Sequence, residues 1–217
     1  MKALRISVLI VVSLSLVLAS GCLGKRYVYN FVNEGDLERY DGDWYAYSGS
    51  YDFDDGLILD GIYVAAPFFF TGDFTGQLNF NLDAEEDDSG MIEYYYGTQQ
   101  SWPGSDWLGG IVINNIGDPS VYYRTYYRDN DTLYFVEEEI PCEGIINNPG
   151  SNTIKIFKKG DSLEFELNGT AIGAPYAIIG NTSGLYCPHI YGWSSDETSI
   201  IFTYFEVKYE GDMIPVV

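Results

Sequence analysis

The segment Thr98 to Gly110 (TQQSWPGSDWLGG) places Trp102 and Trp107 beside Gln99, Gln100 and Asp106. Its Gly, Ser and Pro content reads as a loop, from which burying both indoles would be awkward. A flat indole packs against the C–H face of a pyranose, and amide or carboxylate groups hydrogen-bond the sugar hydroxyls. Sugar contact is therefore the chemistry expected of Trp102, Trp107, Gln99, Gln100 and Asp106. The alternative is structural, with one indole folded back to cap the core.

Paired carboxylates are the second chemistry. Residues i and i+2 of a strand point to the same face. Two carboxyl groups about 5–9 Å apart can act as acid and nucleophile, or acid and base, at a glycosidic bond. Three pairs have the spacing: Glu137/Glu139, Glu164/Glu166 and Glu85/Asp87. Glu164 and Glu166 alternate with apolar residues and are expected in solvent. Glu137 and Glu139 run into Pro141, which marks a strand end. No catalytic residue is assigned, and Glu137 and Glu139 are the least unfavourable candidates. Acidic clusters at Asp52, Asp54, Asp55 and Asp60, and from Asp83 through Asp87 to Asp88, could offer oxygens to calcium. Neither matches an EF-hand loop, and in so acidic a chain they read first as solvated turns. No cofactor is required, and calcium is the one candidate. His189 is the only histidine, so a histidine-rich zinc site is excluded.

Strands must position these groups. Beyond the N-terminus no helical period is sustained, and short alternating or apolar runs are separated by Gly, Asn and Asp turns. Gly76 to Asp83 alternates, with Leu78, Phe80 and Leu82 on one face. Other strands are expected within Gly56–Gly61, Ile62–Phe70 (broken by Pro67), Met91–Tyr96, Gly110–Ile116, Val121–Arg128 and Thr132–Glu138. A hairpin is expected from Thr153–Phe157 through a Lys158–Asp161 turn to Ser162–Leu167, followed by an Asn168-Gly169 turn. The last strand spans Ser199–Tyr209, with Ile201, Thr203, Phe205 and Val207 on one face. Tyr94, Tyr95, Tyr96, Tyr122 and Tyr126 could add aromatic surface. About ten strands of this kind imply an all-β fold, a two-sheet antiparallel β-sandwich.

The first residues describe export. Lys2 and Arg5 precede an apolar run, Ile6 to Leu18, that falls short of the about 20 residues of a membrane span. A basic start, short apolar middle and small-residue exit form a secretory signal. The exit Leu18-Ala19-Ser20-Gly21-Cys22 resembles a lipobox, although the apolar residue stands one place early. The expected organisation is a signal peptide at 1–21, lipidated Cys22 within a tether at 22–26, and one domain at 27–217. The resemblance implies acylation, with palmitate among the chains, and a domain anchored to the cell membrane or outer membrane at the cell surface.

Net charge is −21. Removing Lys2 and Arg5 leaves 9 bases against 32 acids. Such a surface repels nucleic acid and anionic headgroups and suits neutral or cationic partners. An exported chain with one remaining cysteine pair, Cys142 and Cys187, is expected to form a disulfide. Oligomeric state is not legible.

The run Asn152 to Gly169 (NTIKIFKKGDSLEFELNG) resembles the central hairpin of concanavalin A-like lectin/glucanase domains, including laminin G-like modules. Tyr51–Gly61 resembles the opening strands. Phe70–Leu82 resembles a strand whose apolar edge faces the concave sheet, and Ile200–Tyr209 resembles the closing strand, which pairs near the first. This implies a jelly roll and a non-catalytic, lectin-like carbohydrate-binding role with a glycan as partner. The glucanase signature, Glu-x-Asp-x-x-Glu, has no match here. A structural or adhesive protein that binds another protein is the second reading, and a glycoside hydrolase the third.

Overall fold

The computed structural model describes residues 25–32, 44–47, 50–97, 107–129, 132–178, 184–196 and 199–215. In chain order its strands are β1 (Lys25–Asn30), β2 (Tyr45–Tyr47), β3 (Ser50–Phe53), β4 (Leu57–Asp60), β5 (Ile62–Ala65), β6 (Phe68–Phe70), β7 (Phe74–Leu82), β8 (Gly90–Gly97) and β9 (Trp107–Asn114). They continue as β10 (Ser120–Asp129), β11 (Thr132–Ile140), β12 (Gly150–Lys159), β13 (Ser162–Leu167), β14 (Thr170–Ala177), β15 (Cys187–Ser194), β16 (Ile200–Tyr209) and β17 (Met213–Pro215).

Two antiparallel sheets make the sandwich. The eight-stranded sheet runs β14-β13-β12-β7-β16-β4-β3, and β1 also pairs with β16. The seven-stranded sheet runs β11-β10-β9-β8-β15-β5-β2, and β17 pairs with β6 separately. The closing strand β16 meets the first strand, with Tyr29 opposite Phe205.

Alternation decides which side chains fill the space between the sheets. In β7 Phe74, Leu78, Phe80 and Leu82 are buried, and in β13 Leu163, Phe165 and Leu167. Glu164 and Glu166 point away and pair with Lys159 at 2.8 Å and Lys155 at 2.6 Å. From the other sheet, Ile92, Tyr94 and Tyr96 of β8, Ile111 and Ile113 of β9, Val121 and Tyr123 of β10, and Ile190 of β15 enter the same core. The hydroxyls of Tyr94 and Tyr96 lie 2.8 Å apart and bond each other. They rest on Gly76 of β7, where any Cβ would overlap both oxygens. Two phenols are thereby buried without leaving either hydroxyl unsatisfied. Tyr94 and Tyr96 are thus core residues, not additions to an outer aromatic surface, and burial pushes both phenols up.

Four expectations are corrected. First, β16 does not alternate from end to end. A bulge between Phe202 and Tyr204 inserts Thr203, so the buried set passes from Ile200 and Phe202 to Phe205, Val207 and Tyr209. One extra residue reverses strand parity. Second, Lys158 lies within β12 and not in the turn. Its buried Nζ donates to Asp73 Oδ1 at 3.0 Å and to Gly160 O at 2.9 Å. Burial raises the Asp73 carboxyl, but the Lys158 and Gly160 bonds and the Lys158 charge outweigh it and hold the group below its usual range. Third, β14 forms an edge of the eight-stranded sheet and β15 lies within the seven-stranded one, between β8 and β5, where no strand was expected.

Fourth, Cys142 and Cys187 are both free. Cys142 follows β11, and Cys187 opens β15, four strands across the sheet order. Neighbouring strands lie about 4.8 Å apart, which separates the two by roughly 19 Å across the sheet alone. A disulfide requires Cα atoms within about 7 Å. Cys187 instead donates its thiol to Ala66 O at 3.4 Å, and burial pushes both thiols up.

The turn asparagine Asn168 is committed to the fold. Its Oδ1 accepts from Thr153 N at 2.8 Å, and its Nδ2 donates to Ile145 O at 2.7 Å and Asn152 Oδ1 at 2.8 Å.

Candidate functional site

With alternate residues of the seven-stranded sheet in the core, the intervening ones share its outer face. Their register forms rows across the strands. One row runs Tyr63 (β5), Tyr191 (β15), Glu93 (β8), Val112 (β9), Tyr122 (β10), Glu139 (β11). The next runs Ala65, His189, Tyr95, Gly110, Arg124, Glu137 over the same strands. Trp193 and Met91 lie opposite each other beyond the first row.

Glu93 anchors the face. Its residue is 1% exposed, so its charge requires partners. Oε2 accepts a hydrogen bond from Tyr63 Oη at 3.0 Å. Oε1 pairs with Arg124 Nη1. Arg124 reaches Glu93 diagonally, past Gly110, where a Cβ would strike Tyr95. The same guanidinium donates to Glu137 Oε2 from Nε at 2.8 Å and pairs through Nη2 at 2.7 Å. It also lies 5.5 Å from the Phe135 ring centroid, a cation–π contact.

Burial raises the Glu93 carboxyl, and the Arg124 charge and Tyr63 hydrogen bond draw it back without cancelling the shift. Burial works against Arg124's charge, but Glu93 and Glu137 outweigh it and hold the guanidinium more firmly protonated. Tyr63 is pushed up by burial first and by Glu93 second.

Aromatic rings flank this polar centre. Tyr63 and Tyr191 stand 4.4 Å apart at 33°. Tyr95 and His189 stack at 4.8 Å and 4°, and His189 Nδ1 lies 2.9 Å from Cys187 O. Tyr126 and Phe135 meet at 5.0 Å. Exposure rises outward: Tyr95 and His189 are buried, Tyr191 and Tyr126 half-buried, and Trp193 and Phe135 reach 39% and 50%. The arrangement can present rigid aromatic planes around fixed donors and acceptors, which is what a polar, flat-faced ligand requires.

Glu137 and Glu139 share this face, opposite Arg124 and Tyr122 respectively. Glu137 is bound to Arg124, and beyond that guanidinium lies Glu93, with both oxygens occupied. Glycoside cleavage needs the sugar oxygen, and for inversion a water, between two carboxyl groups. Between Glu93 and Glu137 that place holds Arg124, and the three groups brace the sheet.

Among the other predicted residues, Gln99, Gln100, Trp102 and Asp106 lie outside the described residues, as does lipidation residue Cys22. Trp107 opens β9 and pairs with Gly97, so its loop joins β8 to β9 at the end of the sheet where Cys187 also pairs with Gly97. Of the acidic clusters, Asp52 lies in β3 and Asp60 closes β4, while Asp54, Asp55 and Asp83 to Asp88 lie between strands. Asp52 Oδ1 accepts from Phe53 N at 2.7 Å, and Asp54 N donates to Gly56 O at 3.0 Å next to Asp55. Asp83 N donates to Ser199 O at 3.0 Å, and Asp87 sits in the turn where Asp88 Oδ2 accepts from Glu85 N. Among the described residues, no three His, Cys, Asp or Glu side chains are gathered to hold a metal ion.

Sequence reasoning missed Glu93, Arg124, Tyr63, Tyr191 and Trp193. Glu93 and Arg124 carried a signal: each is the one charge within an aromatic strand segment, MIEYYY and VYYRTYY. Opposite lone charges in half-buried strands point toward each other's partner.

No family model matches this chain, and no curated protein matches it. Solved structures do. The Crh5 transglycosylase in complex with NAG aligns with a TM-score of 0.58 at 10% identity, over 86% of this chain and 85% of that one. The CBM2 module of the Lactobacillus casei BL23 phage J-1 evolved Dit aligns at 0.50 and 12% identity, over 86% and 91%. Sheep galectin-11 in complex with glycerol aligns at 0.50 and 11%, over 68% and 97%. At these identities the likeness is one of fold: all-β, with antiparallel sheets packed in a concanavalin A-like jelly roll.

Arg124→Met should cost about 3–5 kcal/mol at about pH 7, because it strands the buried Glu93 charge. Glu93 is more readily protonated folded than unfolded. The stability linked to its proton is full at low pH and lost as pH rises through the raised pKa. The Arg124→Met penalty should therefore shrink in mild acid. Urea unfolding across pH measures it, and a penalty unchanged by pH would contradict the assignment.

Proposed function

We propose that this chain is a lipid-anchored surface protein that binds glycan without cleaving it, through the outer face of the seven-stranded sheet. The observation that carries this reading is the Glu93–Arg124–Glu137 brace set among ordered aromatic rings. Pyranose C–H faces pack on Tyr191, Tyr126, Phe135 and Trp193, and sugar hydroxyls meet fixed polar groups. Preorganised groups of this kind reduce the entropy lost on binding. The run that connects β8 to β9 of the same sheet carries Gln99, Gln100, Trp102, Asp106 and Trp107, and this reading assigns its amides, carboxylate and indoles to the same glycan. The jelly-roll fold is compatible with the role, although fold alone does not fix function.

The expected outcome on a glycan array, using the full-length chain in detergent with and without calcium, is binding to a restricted set of oligosaccharides. Trp102→Ala/Trp107→Ala should weaken it about tenfold (one stacked ring per sugar, about 0.5–1.5 kcal/mol each) while circular dichroism stays unchanged. The reading fails if nothing on the array binds. Cleavage of a bound glycan would contradict the non-catalytic assignment.

Anchoring is tested separately. A short basic n-region, an apolar run and small residues before Cys22 support acylation at its thiol. Cys22→Ser should move the protein from the membrane to the soluble fraction and abolish fatty-acid labelling. Retention of the label in that variant would remove the assignment.

A further inference from the structure

Charge is sorted between the two sheets. The described lysines, Lys25, Lys155, Lys158, Lys159 and Lys208, all lie on β1, β12 or β16 of the eight-stranded sheet. The strands of the seven-stranded sheet contain no lysine. Arg124, at the centre of its outer face, is neutralised between Glu93 and Glu137. Among the described side chains, that face therefore offers no spare cation at its centre to an acidic sugar.

Two other carboxylates stand at its margins. Glu139, exposed, is in register with Tyr122 at the β11 side. Asp60, the exposed last residue of β4 just before the chain passes into β5, accepts from Ser50 Oγ at 3.0 Å and acts electrostatically on Tyr191. Among the described residues neither has an ion-pair partner. The exposed Trp193 indole adjoins Asp60's neighbour, lying 4.0 Å from the Cβ position of Gly61. Each margin thus combines aromatic surface with a carboxylate that has no ion-pair partner among the described residues: Asp60 with Tyr191 and Trp193, and Glu139 with Tyr122.

A carboxylate beside an aromatic face attracts an ammonium group through both charge and the ring quadrupole. An acetylated amine gains neither, and a uronic acid is repelled. From β5 to β11 there are five strand spacings, or about 24 Å at roughly 4.8 Å each. One sugar cannot span that distance, whereas a chain with repeated amines can engage both margins and gain avidity.

Resting on the glycan-binding reading, we infer that the ligand class of this face is an oligosaccharide carrying free amino groups, with its ammonium groups held at Asp60 and at Glu139. The test is calorimetric titration of the full-length chain in detergent at physiological salt. The probes are a glucosamine hexamer, its fully N-acetylated counterpart and a galacturonate hexamer. The glucosamine hexamer should bind at least tenfold more tightly than the acetylated one, and the galacturonate should not bind. Asp60→Asn/Glu139→Gln should erase the preference for the amine while leaving the circular dichroism spectrum unchanged.

Equal binding of the amine and acetylated hexamers would overturn the inference and leave the glycan-binding reading intact. Tight amine binding that survives the double substitution would also overturn it, because the net negative charge of the whole chain would then be the attraction. Absence of binding to all three, together with a blank glycan array, would remove both readings.

Discussion

The parity of β8 is the constraint on which the rest of this structure depends. Tyr94 and Tyr96 are committed to the core by their mutual hydrogen bond and by Gly76 on the facing strand. Glu93 and Tyr95 must then point outward. Shifting the strand by one residue would drive a carboxylate into the core and expel two phenols from it. Core and candidate site are therefore one decision. Glu93 on the outside draws in Tyr63 and Arg124, and Arg124 in turn holds Glu137. Strands β5, β8, β10 and β11 are tied together over the outer surface by these contacts.

This brace also limits chemistry. A carboxylate pair becomes catalytic when its two environments differ and the space between is open to substrate. The environments of Glu93 and Glu137 do differ, since one is buried and the other partly exposed. The space between them holds a guanidinium instead of a substrate. The consequence is rigidity: aromatic planes on both sides of the brace are kept in place, and a ligand need not order them. That is a binding surface's requirement.

Much of the architecture could be read from residues alone. The period of two in GQLNFNLD and SLEFEL dictates which side chains are buried, because a half-buried strand leaves no other arrangement, and β7 and β13 follow it. What could not be read is tertiary in origin. The bulge at Thr203 changes parity without any local mark in IIFTYFEV. Lys158 looks like a turn residue until Asp73, 85 positions away, supplies its counter-charge. The cysteine pair suggested a disulfide because spacing along the chain says nothing about strand order, and strand order places the two four strands apart. Of the site, Glu137 and Glu139 were visible as a same-face pair. Their meaning changed once Arg124 and Glu93 arrived from other strands. The loop tryptophans and Cys22 remain readings of the sequence.

Hydrogen exchange measured on the full-length chain with and without a saturating array-selected glycan tests the central claim most directly. The account predicts added protection in β8, β10 and β15, centred on Glu93, Arg124 and Tyr191, with β12 and β13 unchanged. Protection confined to the eight-stranded sheet would contradict it.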